Sequence, residues 1–227
     1  MAGLSSNTVK TCAIGFDDPH FNESVFAKMV ADRYHTDHRL EVVKGDDFDL
    51  IDTLAWLYDE PFADSSALPT YRVCQMARKH VTVALSGDGG DESLGGYRRY
   101  RMHLWEDRVR NYLPHGLRRP LFGALGQMYP KADWAPRPLR AKTTFQAMAM
   151  NSLQAYHHSM SHLRADQRQA LISSAFQRSL GWYNALEVFR HHAQNAQTDD
   201  PLALIQSLDY KPWLVAYLNT KLDRSSM

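Results

Sequence analysis

An α/β layered domain with a mostly parallel sheet, continued by a helical second half, is the fold that three features of the sequence predict. Strand-like and helix-like patterns alternate through the first hundred residues. Val81-Thr82-Val83-Ala84-Leu85 is a near-continuous apolar run, the mark of a central strand covered on both faces. From about Met102 strand-like runs give way to helical periodicity that lasts to Met227.

The elements follow in order. Val9 to Phe16 is β-rich and breaks at Asp17-Asp18-Pro19, which predicts a strand ending in a turn. Asn22 to Tyr34 places Val25, Phe26, Met29 and Val30 one turn apart, with Asn22 as N-cap, and predicts a helix. Arg39 to Val43 is a second short strand. Asp47 to Tyr58 is a second helix with Leu50, Ile51, Leu54, Leu57 and Tyr58 on its buried stripe. The loop Asp59 to Ser66 leads to a third helix ending near Lys79, and the 81–85 strand follows. The helical second half is punctuated by Pro114, Pro120, Pro130, Pro136 and Pro138. Neither an internal repeat nor a low-complexity tract is present.

Composition narrows the class. The chain has 227 residues, long enough for a core that needs no disulfide or metal staple. Its 26 Lys and Arg against 25 Asp and Glu give a net charge of +1, which argues against a bulk nucleic-acid binder. No apolar stretch approaches the roughly 18 residues of a membrane span. The N-terminus lacks the basic and apolar regions of a signal peptide. Cys12 and Cys74 are the only cysteines, so a reducing, cytoplasmic setting is expected.

The chemistry is concentrated in Ser86-Gly87-Asp88-Gly89-Gly90-Asp91-Glu92-Ser93-Leu94-Gly95-Gly96-Tyr97. In a parallel sheet, ligands sit at the carboxyl ends of strands, where Ser86 falls. Glycines allow positive φ and close approach of a ligand, and a glycine turn opening into a helix presents N–H groups that suit phosphate. Three carboxylates in five residues would repel a polyphosphate unless Mg²⁺ lay between them. A Mg-nucleotide or pyrophosphate site follows. The competing reading is a plain polar turn or a Ca²⁺-type acidic loop, but the full EF-hand pattern is missing. The Walker A and dinucleotide glycine fingerprints are also missing.

Ser86 to Tyr97 resembles the S-G-[DE]-G-[GS]-D-E-x-x-[GA]-G-Y signature of the glutamine-dependent asparagine synthetases. Thr11 to Phe16 resembles that family's T-[FY]-[ST]-[IV]-G-F strand, and Asp59-Glu60-Pro61-Phe62-Ala63-Asp64 its D-E-P-[FY]-x-D loop. Thr220 to Met227 resembles its T-K-[VL]-D-R-[AS]-S-M segment. Within the family, Tyr97 to Arg101 and Ser65 to Cys74 look most like amidotransferases encoded with exosortase and exopolysaccharide systems.

The resemblance implies an adenine-nucleotide α-hydrolase-like fold, that of the PP-loop ATP pyrophosphatases. It assigns a nucleotide-binding part to residues 1–101 and a helical part to 102–227. It implies activation of the aspartate carboxylate by ATP and Mg²⁺ as an acyl-adenylate, then attack by ammonia from a glutaminase domain to give asparagine. The alternative acceptor is a sugar acid or another exopolysaccharide precursor, and a third reading is an inactive binding module. Carried over by position, Ile14 and Gly15 meet the adenine, and Ser86, Gly87, Asp88 and Gly89 line the nucleotide and activated substrate. Asp91 holds Mg²⁺, while Asp88, Lys221 and Arg224 act in catalysis, the last two as cations for phosphate. Small molecules are the expected partners, with neither nucleic acid nor membrane, and a homodimer is compatible with the family.

Departures from the family pattern shape these expectations. Its S-G-G-x-D-S-S PP-loop would fall before Met1, and Ala2 stands where a glutaminase would have its cysteine nucleophile. The chain is expected to be an internal stretch of a synthetase domain, inactive by itself and unable to hydrolyse glutamine. Ser93-Leu94 and Trp213 to Tyr217 also differ from the usual residues. Other features have structural readings. The His157-His158 and His191-His192 pairs lack metal-ligand spacing. The arginines from Arg98 to Arg119 read as a solvated helix face, and Cys74 as a small buried hydrophobe.

Overall fold

The computed structural model describes residues 1–20, 22–43, 48–130, 134, 136, 139–181 and 183–227. Two compact units emerge: Met1–Asp88 with Tyr217–Met227, and Gly89–Ala216.

In the first unit, β1 (Lys10–Phe16) pairs in parallel with β2 (Asp37–Val43), in a register running from Lys10 opposite Asp37 to Phe16 opposite Val43. Between them α1 (Ser24–Arg33) lies against both strands and buries Ala31. Asn22 accepts from the Ser24 N–H at 3.0 Å, one residue before the helix cap. A short 3₁₀ turn (Phe48–Leu50) leads into α2 (Ile51–Tyr58), and α3 (Ala67–Arg78) follows the Asp59–Ser66 loop. The expected start of the second helix at Asp47, like Pro138, lies outside the described residues. The terminal helix α13 (Thr220–Ser226) packs on α2 and α3.

Three expectations need correction here. Val81 to Leu85 forms no strand, and Val83 and Leu85 are each 79% exposed. An apolar run becomes a strand only where a neighbour supplies its hydrogen-bond ladder, and among the described residues none does. Among the described residues the sheet therefore has two strands, and the larger parallel sheet of the PP-loop fold is not seen among them. The expected stripe of α1 is present, and Val25, Phe26, Met29 and Val30 are all exposed. On α2 only Tyr58 is buried, and Ile51 is exposed.

The second unit is helical: α4 (Gly90–Leu94), α5 (Arg98–Tyr112), α6 (His115–Met128), α7 (Lys142–Ala149), α8 (Ser152–Met160), α9 (Ala165–Leu171), α10 (Ser174–Ser179), α11 (Leu186–Gln194) and α12 (Pro201–Leu208). Asn151 caps α8 in a full capping box with Gln154, and Asp200 caps α12 ahead of Pro201. After α12 the chain winds as a π-helix over Asp209–Asn219. Pro212 has no N–H to donate to a carbonyl four residues back, and the wider winding accommodates that loss. The core of this unit is Tyr100, Tyr156, Ile205 and Leu208, with Tyr97, Leu153, Phe189 and Leu202 packed around it.

Helix α5 reverses the expected pattern, because its buried face is polar: Tyr100, His103, Glu106 and Arg110. The expectation of a solvated arginine face holds for Arg98, Arg101, Arg108 and Arg119 but fails for Arg110 and Arg118. Arg110 pairs with Glu106 at 2.7 Å and Asp107 at 2.8 Å, and Arg118 donates to the Met148 and Met150 carbonyls. Buried arginines survive where carboxylates and carbonyls replace water.

Candidate functional site

The glycine–carboxylate signature is divided between the units, Ser86–Asp88 in the first and Gly89 onward in the second. Each part is therefore described within its own unit.

In the first unit the D-E-P-F-A-D loop is tied to the C-terminal T-K-L-D-R segment. Lys221, only 7% exposed, donates to Asp64 Oδ2 at 3.1 Å and to Ser66 Oγ at 2.6 Å. Ser66 in turn donates to Asp64 Oδ1 from its hydroxyl (2.7 Å) and its backbone N–H (2.9 Å). Burial by itself would raise the Asp64 carboxyl, but these Ser66 and Lys221 bonds outweigh it and hold the group below the usual carboxylate range. Arg224 pairs with Asp59 at 3.2 Å in a more exposed setting. Tyr58 stacks on Phe62 and Phe62 on Tyr217, while the Tyr58 and Ser225 hydroxyls meet at 2.8 Å. Burial, together with the Asp64 charge and hydrogen bond, pushes the Tyr217 phenol up to about 12.

Ile14 and Gly15 lie on β1, where Gly15 is buried opposite Val42, one residue before the strand ends. A Cβ added at Gly15 would stand 3.1 Å from Asn22 Oδ1 and 3.4 Å from Ser24 Cβ, so the end of the strand approaches the start of α1 as closely as glycine allows. Ser86, Gly87 and Asp88 are exposed on irregular chain. Nothing would crowd a Cβ on Gly87. The Cys74 thiol is pushed up by burial and, secondarily, by the Asp88 charge.

In the second unit Gly89 (φ +86°) opens α4 and Gly95 (φ +68°) closes it, both in the left-handed region that side chains disfavour. The Gly96 N–H bonds the Asp91 carbonyl at 2.9 Å. A Cβ on Gly96 would overlap Asp91 Oδ1, so the carboxylate rests directly on bare backbone. Asp91 is exposed, whereas its neighbour Glu92 is 1% exposed and accepts the Tyr97 phenol at 2.7 Å. Burial and then this bond raise the Tyr97 phenol to about 12, so it stays a donor. Tyr97, Arg99 and Glu92 escaped the reading of single positions, although all lie inside or beside the signature. Asp209, 0% exposed and bonded to Arg99, Tyr100 and Tyr156, gave no local signal.

Among the described residues no cluster of three or more His, Cys, Asp or Glu is arranged to hold a metal. Asp91 could contribute one carboxylate beside an open glycine turn, the sparse protein ligation that Mg²⁺ accepts when phosphate and water complete its shell. Among the described residues no helix is long and apolar enough to cross a membrane.

The family model described as asparagine synthase matches residues 1–227. A putative glutamine-hydrolysing asparagine synthetase 2 from Methanocaldococcus jannaschii is 48% identical over 109 residues, covering 48% of this chain and 21% of that protein. Asparagine synthetase [glutamine-hydrolyzing] 1 of Bacillus subtilis is 33% identical over 140 residues, covering 61% and 21%. A putative asparagine synthetase of Mycobacterium tuberculosis is 31% identical over 219 residues, covering 96% of this chain and 32% of its own length. The chain thus spans between about a fifth and a third of these relatives. No solved structure matches.

Proposed function

The chain belongs to the asparagine synthase family, and from that premise we propose that it carries synthetase-domain residues of an ATP-dependent carbon–nitrogen ligase. The reading rests on one observation above all: the ordered motifs of a carboxylate-activating enzyme recur along one chain that the family model matches throughout. The substrates proposed are aspartate, ATP and ammonia released from glutamine by a glutaminase domain.

A carboxylate is a poor electrophile. Its oxygen attacks the α-phosphorus of ATP, pyrophosphate leaves, and the acyl-adenylate then carries AMP as leaving group. Ammonia attacks the acyl carbon, AMP departs, and the amide remains. Such chemistry asks the protein mainly to position groups and neutralise charge. Ile14 and Gly15 would border the adenine, and Ser86, Gly87 and Gly89 would admit the phosphates to bare backbone. Asp88 is suited to line the activated carboxylate and take the proton shed by ammonia. Asp91 would hold Mg²⁺, which supplies charge neutralisation to the pyrophosphate. Arg224, with a side chain 44% exposed, is the more available cation, while the Lys221 charge is already matched by Asp64. The division into a nucleotide part (1–101) and a helical part (102–227) belongs to this proposal and keeps the signature whole.

The finer assignment to exosortase-associated amidotransferases rests on Tyr97–Arg101 and Ser65–Cys74. Tyr97, Arg99 and Tyr100 have packing roles here, so likeness at those positions speaks for the fold as much as for the acceptor. The test is a product assay on the full-length protein with Mg-ATP, ammonia and either aspartate or uronic acids. Asparagine with stoichiometric AMP and pyrophosphate is expected. Products restricted to a uronamide would move the acceptor, and ATP hydrolysis to ADP alone would refute the ligase reading.

A further inference from the structure

Helix α4 has five residues, too few to hold its own shape, since a helix this short does not survive without tertiary support. Yet it must present Asp91 outward in a fixed direction while Glu92 points inward. What fixes it is a set of polar contacts that converge on the segment Gln206–Tyr210.

Gln206 Nε2 donates to the Glu92 carbonyl at 2.8 Å and to the Ser93 carbonyl at 3.3 Å. The Tyr210 hydroxyl meets the Ser93 hydroxyl, which also donates to the Gly89 carbonyl at 2.7 Å. The Tyr97 hydroxyl holds Glu92 Oε1, and the Arg99 guanidinium lies 3.5 Å from the centre of the Tyr97 ring. Arg99 Nη2 then donates to Asp209 Oδ2 at 2.5 Å. Asp209 is fully buried and accepts two further bonds at 2.6 Å, from Tyr100 on Oδ2 and from Tyr156 on Oδ1.

We propose that Asp209 is a positioning residue for the signature helix, acting through Arg99, Tyr97 and Glu92 to set the direction of Asp91. Asp209 is the shared acceptor of Arg99, Tyr100 and Tyr156, so it fixes the directions of three side chains at once, and an apolar residue there would leave a guanidinium and two hydroxyls without their partner. Arginine is required because a planar cation can lie flat on Tyr97 while donating edge-on to Asp209, which lysine's point charge cannot do. The chain of contacts through Arg99 and Tyr97 ends on the Glu92 carboxylate of α4, whereas Asp209 itself is also bonded to Tyr100 and Tyr156 of the core, so loss of the Arg99 link should be felt at α4 first.

The functional part of this proposal rests on reading Asp91 as the Mg²⁺ ligand, and the test separates the two. Arg99→Lys and Asp209→Asn are compared with the unaltered full-length protein by backbone hydrogen exchange and by the Mg²⁺ dependence of pyrophosphate release. Arg99→Lys should keep the thermal midpoint close to that of the parent. In it the amides of Asp91 to Gly96 should exchange at least tenfold faster, while those of α6 and α7 are unchanged. The Mg²⁺ concentration for half-maximal rate should rise severalfold, with no fall in the folded fraction. Asp209→Asn should show the same local effect on top of a lower midpoint. Unchanged exchange at α4 in both variants, or faster exchange spread evenly over the unit, would overturn the proposal. If the parent released no pyrophosphate, the ligase reading would fall, and the exchange pattern alone would still decide whether Asp209 positions α4.

Discussion

Burial of Lys221 to 7% exposure leaves its ammonium dependent on Asp64 and Ser66 for the interactions water would have given. Removing one member of a buried pair strands the other charge, at a cost of about 3 kcal/mol or more. Lys221→Met should therefore lower unfolding free energy by roughly that amount, while Lys221→Met combined with Asp64→Leu should recover part of it. Urea titration of these two proteins and of Asp64→Leu alone measures the coupling, and a double-variant loss equal to the sum of the single losses would show that the pair is not coupled. Gly96 makes a different demand. Since a Cβ there would overlap Asp91 Oδ1, Gly96→Ala should swing the carboxylate aside while leaving the helical content intact. The expected result is a several-fold higher Mg²⁺ requirement for pyrophosphate release with an unchanged circular dichroism spectrum. Both pairings were half legible in the sequence. The motifs named the loop and the C-terminal segment, but a bond between Asp64 and Lys221, 157 positions apart, depends on packing that no local pattern records.

At the scale of elements, α5 shows why polar residues can specify a core. His103, 4% exposed, bonds the Ser152 hydroxyl at 3.0 Å and sets its ring edge-on to Tyr156, joining α5 to α8. Burial pushes its imidazole down to about 4; nearby Asp107 opposes this shift and Arg110 adds to it. The sign of the effect on stability follows from linkage. Between about 6.5, the value of an unfolded histidine, and about 4 the unfolded chain takes up a proton that the folded chain refuses. Stability should thus be complete above pH 6.5 and decline as the pH falls toward 4. His103→Gln should flatten that decline, measured as the change in urea midpoint between pH 7 and pH 5; an unchanged slope would mean that other groups carry it. Periodicity alone could not find this helix's buried face, because it looks for apolar residues at helical spacing. The same limit explains Val81–Leu85: composition marked it as a strand, but pairing depends on a partner that composition does not name.

Taken as a whole molecule, the alternation of β1, α1, β2, α2 and α3 was legible from pattern with boundaries shifted by a few residues, as was the helical second half, although helices begin at Gly90 and not near Met102. The Gly89 and Gly95 turns were legible because positive φ leaves a trace in the sequence, namely glycine. The Asp209 centre was not, because a lone Asp within Leu208 to Pro212 looks like an exposed helix residue until Arg99, Tyr100 and Tyr156 close over it. What unites these parts is the claim that the signature serves adenylation of a carboxylate, with Asp91 holding Mg²⁺. The most direct measurement is aspartate-dependent exchange of labelled pyrophosphate into ATP by the full-length protein, in the parent and in Asp91→Asn. Exchange that requires aspartate and Mg²⁺ and falls at least a hundredfold in Asp91→Asn is the predicted result. Exchange independent of any carboxylate, or undiminished in Asp91→Asn, would contradict it.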